Sequence, residues 1–225
     1  MTRPRQRSRT KSPPFGGNAT RLFPFAEKAK KDAPSEIERS IFEATEDLLQ
    51  SISFDELTVA HILERAGISR TTFYRYFTSK HLVVSAMLDE LQAELVDVMR
   101  VWVQRADRAP EKALSDAMTA VADLYTRHRP VLRAGSENWH SDPEIGERWV
   151  RMMDRMSADI AQQIEHERKR GSAPGGVDSR SLARCLIWGS ERAFYLAGYG
   201  HLGAKLERDA VDVIVATWLG SIYHR

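Results

Sequence analysis

The chain of 225 residues contains a single cysteine, Cys185, so no disulfide can form within it. A lone thiol fits a reducing compartment. No run of about 18 apolar residues occurs, so no membrane-spanning helix is expected. The N-terminus is basic but lacks the apolar segment of a secretory leader. No Gly-rich phosphate loop, dinucleotide fingerprint or Ser-His-Asp spacing is present, and the enzyme classes that depend on them lose their support. What is present is a hydrophobic content of 42%, enough for a real core, and a net charge of only +2. That small charge hides a strong asymmetry. Residues 1–31 carry nine Lys/Arg and one Glu, a net +8, which leaves −6 for the other 194 residues.

Residues 1–32 read as a disordered basic arm, because Arg3, Arg5, Arg7, Arg9 and Lys11 alternate with polar residues and Pro13-Pro14 and Gly16-Gly17 oppose regular structure. Such an arm can add phosphate contacts, reach a minor groove, or be a solvated tail. Ser35-x-x-Glu38 is a capping box and opens a helix with Ile37, Ile41, Ala44 and Leu48 inward. Its outer face, with Glu36, Glu43, Glu46 and Asp47, is acidic and unsuited to a DNA groove. Thr58 caps a short helix with Val59, Ile62, Leu63 and Ala66 on one side. Gly67 ends it and Ser69 caps the next. In that next helix Phe73 and Phe77, four apart, share an inner face. Arg70, Thr71, Tyr74 and Arg75 are left outside, a set suited to phosphates and base edges. Two short helices around a tight Gly turn form either a helix-turn-helix or an ordinary helical hairpin.

Four segments break that tie. Leu57-Thr58-Val59-Ala60, Ala66-Gly67-Ile68-Ser69, Thr72-Phe73-Tyr74-x-Tyr76-Phe77 and Ser79-Lys80 followed by Val83 resemble the DNA-binding signature of the TetR family of bacterial repressors, in order and spacing. The resemblance runs from Ser35 to Val83. It implies an all-α protein: an N-terminal three-helix helix-turn-helix DNA-binding domain (33–80) and a larger C-terminal helical ligand-binding and dimerisation domain (81–225). It further implies that Thr58 binds phosphate, that Arg70, Thr71 and Tyr74 read base edges or adjacent backbone, and that Thr72, Tyr76 and Lys80 clamp phosphates. Arg75 can take either role, and Tyr76 can instead turn its ring inward. The implied partner is double-stranded operator DNA, in the bacterial cytoplasm and at the nucleoid when bound.

Ser79 caps a fourth helix of about 25 residues with Met87, Leu91, Leu95, Val98 and Trp102 as its stripe, a lever between the two domains. A polar break follows at Arg105 to Arg108. Helices are then expected at Lys112–Tyr125, Val131–Trp139, from Ser141-Asp142-Pro143-Glu144 to Arg170, at Asp178–Tyr199 and at Leu206–Tyr223. The last two are apolar on more than one face, which predicts a homodimer joined through them and a palindromic operator.

Met and aromatic residues crowd the second half, as in a bulky helical core or a small-molecule pocket. Val131-x-Arg133-Ala134-Gly135, Glu165-x-Glu167-Arg168-x-Arg170-Gly171, Glu191-Arg192 and Trp218-x-x-Ser221-Ile222-Tyr223 resemble a mycobacterial branch of the same family, the repressors of ethionamide activation and their relatives. That likeness implies an apolar tunnel for an unknown apolar small-molecule effector. Its expected lining is Leu114, Met118, Val121, Tyr125, Trp149, Met152, Met156, Ile187, Trp188, Ser190, Phe194 and Trp218. In that branch asparagines stand at the positions of Ile187 and Ser190, and aromatics at those of Leu114, Val121 and Met156, so its ligands do not transfer. The alternatives are a regulator without an effector and an enzyme in the second domain. Cys185, mid-helix among apolar residues, reads as a buried structural thiol rather than a nucleophile. His140-x-Asp142-x-Glu144 has metal-ligand residue types but lies at a helix start, where acids belong anyway. No catalytic residue, metal, cofactor or membrane partner is expected.

Overall fold

A computed structural model describes residues 34–104, 109–198 and 204–224. The basic arm, the Phe23-Pro24-Phe25 segment and the Arg105 to Arg108 break lie outside the described residues. Nine helices and no strand are found among those described. They are α1 Glu36–Leu49, α2 Val59–Ala66, α3 Arg70–Tyr76, α4 Lys80–Val103, α5 Pro110–Arg127, α6 Arg129–Asn138, α7 Pro143–Lys169, α8 Ser179–Gly198 and α9 Ala204–Tyr223. None of them is long and apolar enough to cross a membrane.

The first four helices are started by their own sequence. Ser35 and Glu38 form a reciprocal capping box. Thr58, Ser69 and Ser79 each accept the backbone N–H three residues on, at 3.2, 3.1 and 3.1 Å. These bonds satisfy donors that a helix start leaves orphaned. Gly67 takes φ 65°, a left-handed geometry that closes α2 and is free of strain only for glycine.

α1 packs on α2, and α4 runs from α3 into the second domain, where it lies against α5, α6 and α7. α7 with α8, and α5 with α9, complete the bundle. One apolar core extends from Ile41 through Trp102, Trp149 and Trp218 to Tyr223, so the boundary expected at residue 80 is not a gap in packing. On α4 the stripe includes Met99 in place of the half-buried Val98. α6 and α7 approach closely at Gly135, where a Cβ would lie 2.6 Å from the Trp149 ring. Cys185 is exposed, which corrects the expectation of a buried thiol. Five of the six polar or small residues Ser181, Arg184, Cys185, Gly189, Arg192 and Ser190 face solvent on α8, and only Ser190 turns toward Trp218.

Candidate functional site

Phe73 is fully buried and Phe77 nearly so, and their rings meet at 6.2 Å, with Phe42 of α1 5.7 Å from Phe77. Anchored there, α3 turns Arg70, Thr71, Tyr74 and Arg75 outward. Tyr74 is 45% exposed, unusual for a ring of that size, and Arg70 lies over it at 5.9 Å. Thr72 is half-buried and shares its hydroxyl with Ser69 Oγ at 2.9 Å. Tyr76 is half-buried against the core, with Arg75 over its ring at 5.2 Å.

Lys80 departs from its expected role as a phosphate clamp. Its Nζ donates to the carbonyls of Phe54, Asp55 and Leu57 at 2.7, 3.2 and 2.7 Å, and sits 4.5 Å from the Phe54 ring centroid. An ammonium has three donors, and all three are engaged. Burial pulls its pKa down, opposed by Asp55 and Asp142. Lys80 is a strut that holds the loop before α2.

Two groups of polar contacts tie this unit to the second domain. At the start of α4, Ser79 Oγ donates to Glu144 at 3.1 Å, His81 pairs with Asp142, and Arg148 pairs with Asp89 at 2.6 Å. Asp142 also caps α7 through Ile145 N at 2.9 Å, so in the 140–144 pattern Asp142 and Glu144 serve a cap and interdomain contacts, while His140 is exposed beside Trp139. At the end of α1, His128 meets Glu46 at 3.0 Å, and that bond raises the His128 pKa. Arg133 donates to Leu49 O at 3.1 Å and Ile52 O at 3.4 Å, carbonyls left open where α1 stops.

Inside the second domain lies a cavity of about 40 Å³. Met118, Val121, Tyr125, Met152, Met156, Ile187, Ser190, Phe194 and Trp218 line it, nine of the twelve residues expected. The other three do not. Leu114 is fully buried elsewhere, Trp149 fills the space over Gly135, and Trp188 packs on Trp139 at 5.6 Å. Leu95 and Met99 of α4, Met153 and Glu191 join the lining instead. Ser190 Oγ accepts from Trp218 Nε1 at 2.9 Å and is the main neutral polar fixture of the wall. Glu191 is almost fully buried and accepts from Ser136 Oγ at 2.8 Å; burial raises its pKa. A second, more polar cavity of about 190 Å³ shares Tyr125, Glu191 and Phe194 with the first. The Tyr125 and Phe194 rings, 5.0 Å apart, lie in the wall common to both. Asp159 lines a third recess beside Met99 and Met156, and burial alone pushes its carboxyl up to about 7.

Comparison with known proteins matches these two regions separately. Residues 41–87 match the profile of bacterial regulatory proteins of the tetR family, and residues 114–224 that of the C-terminal domain of the transcriptional regulator EthR. The chain belongs to the TetR family. Among TetR-family relatives, the HTH-type transcriptional regulator EthR of Mycolicibacterium smegmatis is 29% identical over 200 residues, covering 89% of this chain and 92% of that protein. EthR of Mycobacterium tuberculosis is 28% identical over 202 residues, 89% and 94% of the two chains. The fold agrees with solved structures of low identity. FadR from Bacillus halodurans, described as a fatty acid degradation regulator, superposes with a TM-score of 0.72 at 15% identity over 86% of this chain and all of that one. Salmonella enterica GusR gives 0.68 at 15% identity over 86% and 98%. As a TetR-family member with an intact reading unit, the chain is a DNA-binding transcriptional regulator.

The residues that sequence reading missed in the cavity have two origins. Leu95 and Met99 sit on α4, whose stripe reads as plain core, and only the packing of α4 against α5 and α7 brings them to the void. Glu191 was visible as part of Glu191-Arg192, but nothing local marks an acid as buried.

Proposed function

We propose that the chain is a dimeric repressor whose two α3 helices enter major grooves at the half-sites of an imperfect palindrome, and that a small apolar molecule in the second domain releases it. The observation that carries the reading is the outward set Arg70, Thr71, Tyr74 and Arg75 on a helix locked from behind by Phe73 and Phe77. Arg70 has the fork to take guanine O6 and N7, and the Thr71 methyl suits thymine. Thr58, at the start of α2, and Thr72 and Tyr76 lie where hydroxyls would meet backbone phosphates. Arg75 supplies charge beside them. Lys80 acts indirectly, by holding the loop from which Thr58 projects.

The dimer reading draws on the outer faces of α8 and α9. Cys185 and Gly189 on one, and Val213, Ala216 and Thr217 on the other, form an exposed surface of small side chains, with Val213 at 52% exposure. Small residues let helices approach closely, as a four-helix dimer interface requires. Such a regulator works in the bacterial cytoplasm.

Titration of labelled genomic fragments tests the reading. Binding should be sequence-selective and weaken steeply with salt. Equal affinity for every sequence would remove the repressor assignment. Arg70→Ala should cost about 1–3 kcal/mol on the preferred site and relax its preference at one base pair. The alternative of a regulator without an effector draws on the narrowness of the inner cavity. A panel of apolar compounds that neither raises the melting temperature nor frees DNA would favour it.

A further inference from the structure

The cavities are arranged along a path. An open cleft between the end of α1 and the start of α6 is lined by Leu49, Gln50, Arg127, Arg129 and Arg133. Arg129 and Arg133 also line the polar cavity of about 190 Å³, and that cavity meets the Met-lined one at Tyr125 and Phe194. The path therefore runs from cationic to apolar. Arg129 makes no hydrogen bond or ion pair with the described residues. Glu191 lies on the same path, but one of its oxygens is held by Ser136 and the other is 3.7 Å from Arg192.

We propose that the effector is an amphiphile with an anionic head, a carboxylate or a phosphate, held by Arg129 and Arg133, with its alkyl chain passing Tyr125 and Phe194 into the Met-lined cavity. This rests on reading the second domain as an effector domain, and it adds a charged head to the apolar molecule of that reading. A planar guanidinium fork matches either oxyanion. The chain needs more room than the inner cavity now holds, and Met99, Met118, Met152 and Met156 are the side chains best able to reshape it.

The same arginine provides the coupling. Arg133 now donates to two neutral carbonyls at the end of α1. An anion is a stronger acceptor than a carbonyl, so the bound head draws the guanidinium away. α1 then loses a tether to α6, and α1 is the helix on which α2 rests. The ligand thus favours a state in which the reading unit is less firmly placed, and the population shifts away from DNA.

The test uses the full chain, with decanoate, decyl phosphate, decanol and decylamine as probes below their aggregation limits. Affinity is followed by melting shift and by release of bound operator. At least one of the two anions should bind about tenfold more tightly than decanol or decylamine, the size of one charge-assisted bond; which anion wins identifies the head. Arg129→Gln, an exposed change, should collapse that preference about tenfold. Arg133→Gln should weaken operator binding without ligand and make it insensitive to the anion. Decanol or decylamine binding as tightly as both anions would overturn the head-group assignment and leave the effector reading standing. So would a preference unchanged by Arg129→Gln. Failure of all four probes to bind would overturn the effector reading together with this proposal.

Discussion

The reading unit and the effector domain are both helical, but they are specified differently. α1 to α4 each begin on a serine or threonine whose side chain caps the helix. In the second domain α7 and α8 also start on a capping acid, Asp142 and Asp178, but α5 and α6 begin at Ala109 and His128 with no capping side-chain bond and rely on proline in the first turn and on packing. On the proposed reading the first unit presents four side chains at fixed spacing, and its short helices are pinned by local bonds. The second domain, on the proposed reading, holds a cavity that changes shape, and contacts among large side chains, several of them methionines, surround it.

The sharpest way to break this contrast is at Phe73, the fully buried anchor within α3. Phe73→Ala should cost about 3–5 kcal/mol and abolish operator binding, read by thermal melting and titration. A loss under 1 kcal/mol would mean that local caps alone hold α3. In the effector domain the corresponding weak point is backbone proximity. Gly135→Ala puts a methyl 2.6 Å from Trp149 and should destabilise by about 1–3 kcal/mol. Gly189→Ala meets nothing within 4 Å, so in a monomer it should be neutral or stabilise by about 0.5–1 kcal/mol. Loss of the dimer in that variant, read by sedimentation, would locate the interface there.

Ser69→Ala removes the cap of α3 and should cost about 1 kcal/mol in melting and a comparable fraction of operator affinity. The smallest effect concerns pH. Because Glu46 raises the His128 pKa, the pair stabilises the fold fully below the unfolded value of about 6.5, and that contribution is lost as pH rises through the higher folded value. Glu46→Gln should therefore lower the melting temperature at pH 6 and leave it unchanged at pH 9. The pair is partly solvated, so the difference should not exceed about 0.5 kcal/mol.

Much of the fold could be read before the structure. Caps, the Gly67 turn and 3.6-residue periodicity placed every described helix to within a few residues, because each signal acts over one or two turns. α6 starts at Arg129 rather than Val131, and α9 at Ala204 rather than Leu206, shifts of the size expected where helix ends fray. The candidate DNA face was legible for the same reason: the inner aromatic pair dictates which residues face out. The cavity was legible in type and in most, but not all, of its membership. Leu114, Trp149 and Trp188 have the chemistry of pocket walls and were expected there, yet the crossing of α4, α6 and α7 buries or displaces them.

The sequence by itself determined eight capped or proline-started helices, the periodicity of a ninth, a turn that only glycine closes without strain, and a polar face on α3. These follow from bonds and periodicities between residues a few positions apart. Only the tertiary structure decided which side chains meet across long separations. Lys80, a phosphate clamp by pattern, reaches back more than twenty residues to three carbonyls and becomes a strut. Arg133 reaches the end of α1 from 84 residues away. Cys185, apolar by its neighbours, faces out because α8 spends its inner side on α7 and the cavity. A helix's period shows that it has faces, but which face is buried, and against what, depends on how the helices cross.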